Sequence, residues 1–170
     1  PMPRDLVLAT RNRHKAAELA AILAGLPVRI RTMDEFPDIP DVVEDGETCE
    51  ANAVKKARAV AEGTGFLAVA DDTGLEVDAL GGRPGVYAAR YAGLQATYED
   101  NCRKLLQELA GVPPARRTAR FVTVAAVAEP SEKVEVTTGR LDGLITEAQA
   151  GEQGFGDDPV FYVPDLGKTL

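Results

Sequence analysis

Two adjacent carboxylates, Asp71 and Asp72, follow the apolar run 66–70 and precede Thr73 and Gly74. The run reads as a short buried strand. Acids at its mouth are costly unless a divalent metal or a basic partner uses them. A carboxylate beside magnesium can fix the ion, orient a water or take its proton. Adjacent residues of an extended segment point to opposite sides, so one acid faces a reaction while the other braces a loop or a backbone. Spacing alone does not choose between them.

Three further segments carry groups suited to the same chemistry. Thr10, Arg11, Asn12, Arg13, His14 and Lys15 lie between an apolar run and a helical pattern. The N–H groups of a helix start attract anions, and Thr10, Asn12 and Lys15 add donors and charge. The segment has no glycine, so it is not a glycine-rich phosphate loop; the plain alternative is a capped helix with solvated basic residues. His14, the one histidine, has no recognisable partner as a general base. Glu44, Asp45 and Glu47 form an acidic loop that can complete a metal site, and Lys55 and Lys56 follow on a helix. Phe155, Gly156, Asp157, Asp158 and Pro159 form the last segment. An aromatic before a glycine can stack on a planar base, and Asp158 can cap a turn or accept an N–H from a base edge; a structural turn anchored by Phe155 explains the same residues.

The elements that must position these groups follow from periodicity. Residues 6–9 read as a strand, 16–23 as a helix ending near Gly25, and 28–30 as a second strand. This β-helix-β opening points to an α/β fold. Residues 34–47 read as a polar loop or lid. Thr48 caps a helix whose apolar face is Ala53, Val54, Ala57, Val60 and Ala61, stopped at Gly63 or Gly65. Thr97 and Asp100 have capping-box spacing ahead of Cys102, Leu105, Leu106 and Leu109. Residues 121–127 and 134–138 read as an antiparallel hairpin, and 160–163 as a short apolar segment.

The chain has 170 residues, 45% apolar, with a formal net charge of -8. That suits one folded domain and argues against a nucleic-acid partner, which usually calls for a basic surface. Cys49 and Cys102 with a single histidine cannot make a structural zinc site, so any metal is a hard, oxygen-liganded ion, most simply Mg2+. No signal peptide and no apolar stretch long enough to span a membrane is visible, and a cytoplasmic location is expected.

Taken together the motifs resemble those of the non-canonical purine nucleoside triphosphate pyrophosphatases, also described as inosine/xanthosine triphosphate or dITP/XTP pyrophosphatases. The matching residues are Leu8-Ala9-Thr10-Arg11-Asn12 with Lys15, Asn52-Ala53 with Lys56-Ala57, and Ala70-Asp71-Asp72-Thr73-Gly74-Leu75. Leu80-Gly81-Gly82 with Pro84-Gly85, Ala89-Arg90-Tyr91, Asn101 with Leu105-Leu106, and Gly154-Phe155-Gly156 with Asp158-Pro159 complete the set. The resemblance implies an α/β fold, a long mixed β-sheet flanked by helices in two lobes with a central cleft. It implies one nucleotide pyrophosphatase domain over 1–170, a homodimer, and Mg2+-dependent hydrolysis of ITP, dITP and XTP to the monophosphate and pyrophosphate. It makes Asp72 the catalytic acid and, with Glu44, a metal ligand. It gives Thr10 to Lys15, Lys56, Thr73 and Phe155 to Asp158 contacts to the nucleotide.

The chain departs from that pattern in places. Asp157 stands where the family has tyrosine, adding charge beside the base loop; Cys49 stands where an aromatic is frequent, the glycine-threonine pattern before it is altered, and Ala51 replaces an acid. The family continues past Gly167-Lys168-Thr169 with a lysine and a serine-histidine-arginine motif that reads the purine, whereas this sequence ends at Leu170. The resemblance therefore implies a domain lacking that segment. Two alternatives stand beside the main reading: a related pyrophosphatase with altered base preference, and a catalytically weak nucleotide-binding or dimerising relic.

Overall fold

Strand β1 (Arg4–Leu8) leads into helix α1 (Arg13–Leu23) and strand β2 (Val28–Arg31) in the computed structural model, which describes residues 2–151 and 154–170. Helix α2 (Cys49–Thr64), strands β3 (Leu67–Val77) and β4 (Pro84–Gly85) and helix α3 (Tyr98–Glu108) follow. Strands β5 (Thr118–Ala128), β6 (Val134–Ile145), β7 (Phe161–Val163) and β8 (Lys168–Thr169) complete the chain. All eight strands join one sheet in the order β2-β1-β3-β5-β6-β7-β8, with β4 on β3. β1 runs parallel to β2 and β3, whereas β3–β4, β6–β7 and β7–β8 are antiparallel, so the sheet is mixed.

Local chemistry sets the helix bounds. Asn12 caps α1, Thr48 caps α2 by accepting from the Ala51 N–H at 3.0 Å, and Thr97 with Asp100 closes a reciprocal capping box on α3. Gly65 ends α2 in the left-handed region at φ 75°, where a side chain would be strained.

The chain divides into two compact units, one within residues 1–72 and 124–138 and the other within 73–123 and 139–170. In the first, the two faces of the sheet carry different helices, and residue parity decides which. Leu6 and Leu8 of β1 and Val69 of β3 pack with Leu19 of α1. Val7, Ala9, Ala68 and Ala70 pack with Ala53, Ala57, Val60 and Ala61 of α2. The alanines let α2 lie close on the sheet, and that closeness is what short polar side chains on α2 need to reach the strand. In the second unit, Cys102, Leu105 and Leu109 of α3 pack with Leu75, Val77, Ile145 and Phe161.

One expectation is corrected here. The acid doublet does not stand at a strand end: β3 runs through it to Val77, because the residues after the acids pair with β4, Leu75 with Gly85 and Glu76 with Pro84. β6 likewise extends past Thr138 to Ile145, where Leu144 and Ile145 pair with β7. Among the described residues no helix is long and apolar enough to cross a membrane.

Candidate active site

Strand parity separates the two acids. Asp71 continues the row of Val69 toward α1, and Asp72 continues the row of Ala68 and Ala70 toward α2. Asp71 is buried and its Oδ2 lies 3.1 Å from Lys15 Nζ, with Glu18 of the same helix 3.6 Å from that ammonium. Burial works against the lysine charge, and the pull and hydrogen bond of Asp71, helped by Glu18, outweigh it; the Lys15 pKa ends above its ordinary value. Asp72 takes a different partner: its Oδ2 accepts from Asn52 Nδ2 at 2.9 Å.

One face of α2 supplies the remaining contacts. Asn52, Lys55 and Lys56 lie at helical spacings of three and four, so all three project from one side. Asn52 Oδ1 accepts from the Gly46 N–H at 2.7 Å. Lys55 donates to Val43 O at 2.8 Å and pairs with Asp45 at 2.7 Å. Lys56 is ion-paired with Glu44 and donates to the Asp71 carbonyl at 2.5 Å. Residues 43–46 are thus each held against one helical turn, and that turn reaches the doublet.

The segment after β1 is more self-contained than a bare helix N-terminus. Asn12 Oδ1 accepts from the His14 N–H at 3.0 Å and the Lys15 N–H at 3.2 Å, and Thr10 Oγ1 accepts from the Asn12 N–H at 3.1 Å. Two of the backbone donors expected for an anion are therefore already bound to the cap. Arg11 turns to the loop: it donates to Asp41 Oδ1 at 2.7 Å, to Ile39 O at 2.5 Å and to Met33 O at 3.2 Å. Arg13 and His14 are exposed, and His14 Nε2 lies 3.9 Å from Glu18.

The second unit holds the aromatic loop. Asp158 Oδ2 accepts from the Phe155 N–H at 3.1 Å, and a Cβ on Gly154 would lie 2.5 Å from that of Asp158, so glycine is required there. Phe155 and Tyr98 of α3 form a tilted ring pair with centroids 5.9 Å apart. These rings, with Glu99, Cys102, Gly156 and Pro159, line a cavity of about 210 Å³. Asp157 is not on that lining. It is 8% exposed, and its Oδ1 lies 3.9 Å from Cys102 Sγ, which also donates to Gly156 O at 3.5 Å. Burial first, then the nearby Asp158 charge, pushes the Asp157 pKa up to about 7; the Cys102 thiol is pushed up to about 12 by burial and the same acids. The carboxyl at position 157 is therefore turned inward, and burial disfavours its charge. Thr73, expected to touch substrate, shares a 2.7 Å hydrogen bond with Thr123.

Sequence reasoning noted Asn52 only as part of a motif. The available signal was a polar residue continuing the alanine and valine face of α2, which has to find partners if buried. Tyr98 and Cys102 as cavity walls had no such signal, since each reads as helix surface or core.

The family model described as the Ham1 family matches residues 6–170. The chain is 50% identical over 165 residues to a dITP/XTP pyrophosphatase of Geobacter sulfurreducens, covering 97% of this chain and 83% of that protein. It is 50% identical over 167 residues to one of Geobacillus kaustophilus, covering 98% and 82%. Among solved structures it is similar to a HAM1 protein of Coxiella burnetii, with TM-score 0.88, 38% identity and coverage of 98% and 85%. A nucleoside-triphosphatase, dITP/XTP pyrophosphatase of Mycobacterium abscessus gives TM-score 0.81 at 38% identity, covering 97% and 86%.

Proposed function

The chain belongs to the Ham1 family, and from that premise we propose that it hydrolyses the non-canonical purine nucleoside triphosphates dITP, ITP and XTP to the monophosphate and pyrophosphate. The observation that carries the reading within this molecule is the convergence of Lys15, Lys56 and Asn52 on the Asp71–Asp72 segment.

In this reading Asp72 takes the proton of the attacking water, whose oxygen bonds to the α phosphorus. The bond from that phosphorus to the α–β bridging oxygen breaks, and the electron pair leaves with pyrophosphate. Lys15 and Lys56 exchange Asp71, Glu44 and carbonyl partners for phosphate oxygens. Holding them beside acids beforehand avoids the cost of unpaired, half-buried ammonium groups. Thr10, Arg11, Asn12, Arg13 and His14 belong to the phosphate side. Phe155, Gly156 and Asp158 belong to the base side, with Thr73 as a further substrate contact; Asp157, turned inward against Cys102, supports that loop from behind.

Mg2+ is the cofactor of this reading, held by Glu44 and Asp72. Both are hard carboxylate ligands, and Asn52 with Lys56 ties the segments that carry them to one turn of α2. That fits magnesium, which commonly takes one or two carboxylates and completes its shell with water and substrate phosphates. When bound it would neutralise phosphate charge. Residues 1–170 are read as one pyrophosphatase domain, working in the cytoplasm as a homodimer.

The site of attack is testable with dITP hydrolysed in 18O-labelled water with Mg2+. The reading predicts label in the monophosphate and none in pyrophosphate. Label in pyrophosphate, or release of inorganic phosphate with a diphosphate, would overturn it.

A further inference from the structure

We propose that Asn52 is a positioning residue for the reaction: its side-chain amide fixes the Asp72 carboxylate and the Glu44 loop to one another. The inference rests on the pyrophosphatase reading and deepens it. Asn52 is 1% exposed and sits on α2 directly before the buried Ala53. A buried amide must satisfy both its ends, and here each end has one compatible partner. Oδ1 faces a donor, the Gly46 N–H at 2.7 Å; Nδ2 faces an acceptor, Asp72 Oδ2 at 2.9 Å. Flipping the amide would set oxygen against carboxylate and NH2 against N–H, so the orientation is unique.

Two consequences follow. Asp72 is held by a donor that cannot take its proton, since a carboxamide has no basic nitrogen at neutral pH. Gly46 is held so closely that a Cβ there would lie 2.6 Å from Asn52 Oδ1, and Gly46 stands two positions after Glu44. One amide therefore sets the relation between two acidic groups from separate segments. Lys55 and Lys56 strengthen the same grip at the two positions just before Gly46, through Asp45 and Glu44.

The discriminating variant is Asn52→Asp. It preserves volume and the acceptor for Gly46 but sets a second carboxyl against Asp72; two carboxyls that close share one proton, so the variant is compared with the parent across the pH profile. A role confined to packing or loop anchoring predicts near-parental kinetics. Positioning predicts a fall in kcat for dITP of about 10²-fold, as for a misplaced reacting group, with KM within about threefold. Gly46→Ala, which presses on the amide from the other end without touching Asp72, lowers kcat in the same way. Folding is checked by circular dichroism and thermal melting, so that kcat is referred to folded protein. The bond itself is read without substrate: the Asn52 side-chain amide signals in a 15N-resolved NMR spectrum shift on Asp72→Ala. A folded Asn52→Asp enzyme within about threefold of parental kcat, or an amide signal indifferent to Asp72→Ala, overturns the proposal. Failure of the pyrophosphatase reading shows separately, in the parent assay alone.

Discussion

Asp157 carries its carboxyl where water does not reach, against Cys102 and beside the charge of Asp158. Desolvation raises its pKa from 3.8 to about 7, so the folded protein retains a proton that the unfolded chain releases. Between those values the unfolded state binds fewer protons, and stability falls as pH rises; above about pH 7 the dependence flattens. The slope contributed by this group approaches about 1.4 kcal/mol per pH unit at most. Asp157→Asn should remove it, which denaturant unfolding of parent and variant between pH 4.5 and 7.5 will show as a difference that grows with pH. Identical slopes would mean that the carboxyl is not held protonated. The two-residue period showed in advance that Asp71 and Asp72 face opposite sides, and the structure gives each its own helix partner. What each acid touches was not legible, because Lys15 and Asn52 reach the doublet from distant parts of the chain.

Helix ends were legible because their causes are local: Thr48, Thr97 with Asp100, and Gly65 each act within one turn of themselves. Strand lengths were not. Two aspartates disfavour a strand by propensity, yet β3 runs through them because each acid is balanced on its own face and β4 pairs beyond them. Arg117 belongs to the same non-local class. Only 5% exposed, it donates to Val112 O, Leu109 O and Thr146 O, each at 2.9 Å, tying the end of α3 to the segment after β6. In the sequence it stands among Pro113, Pro114 and Arg116, with nothing local to mark it as buried. Arg117→Ala removes three charged hydrogen bonds to carbonyls, of which Leu109 O keeps the Val112 N–H, and should cost about 3 kcal/mol, read as a lowered denaturation midpoint. Arg117→Lys should recover only part of that, since an ammonium lacks the planar spread of donors. An unchanged midpoint for Arg117→Ala would contradict this role.

At the scale of the whole molecule, the mixed sheet and its flanking helices agree with solved Ham1 structures over nearly the full chain. A net charge of -8 leaves attraction of a triphosphate to local groups, and the first unit concentrates them around one strand segment. The central claim is that Asp72 performs the chemistry there. It is tested most directly by pyrophosphate release from dITP with Mg2+, comparing the parent with Asp72→Asn. The variant keeps the size of the side chain but cannot take a proton. The account predicts a readily measured parental rate and a fall of about 10²- to 10⁴-fold in kcat for a variant that melts as the parent does. A folded Asp72→Asn protein within about threefold of the parental rate would contradict it.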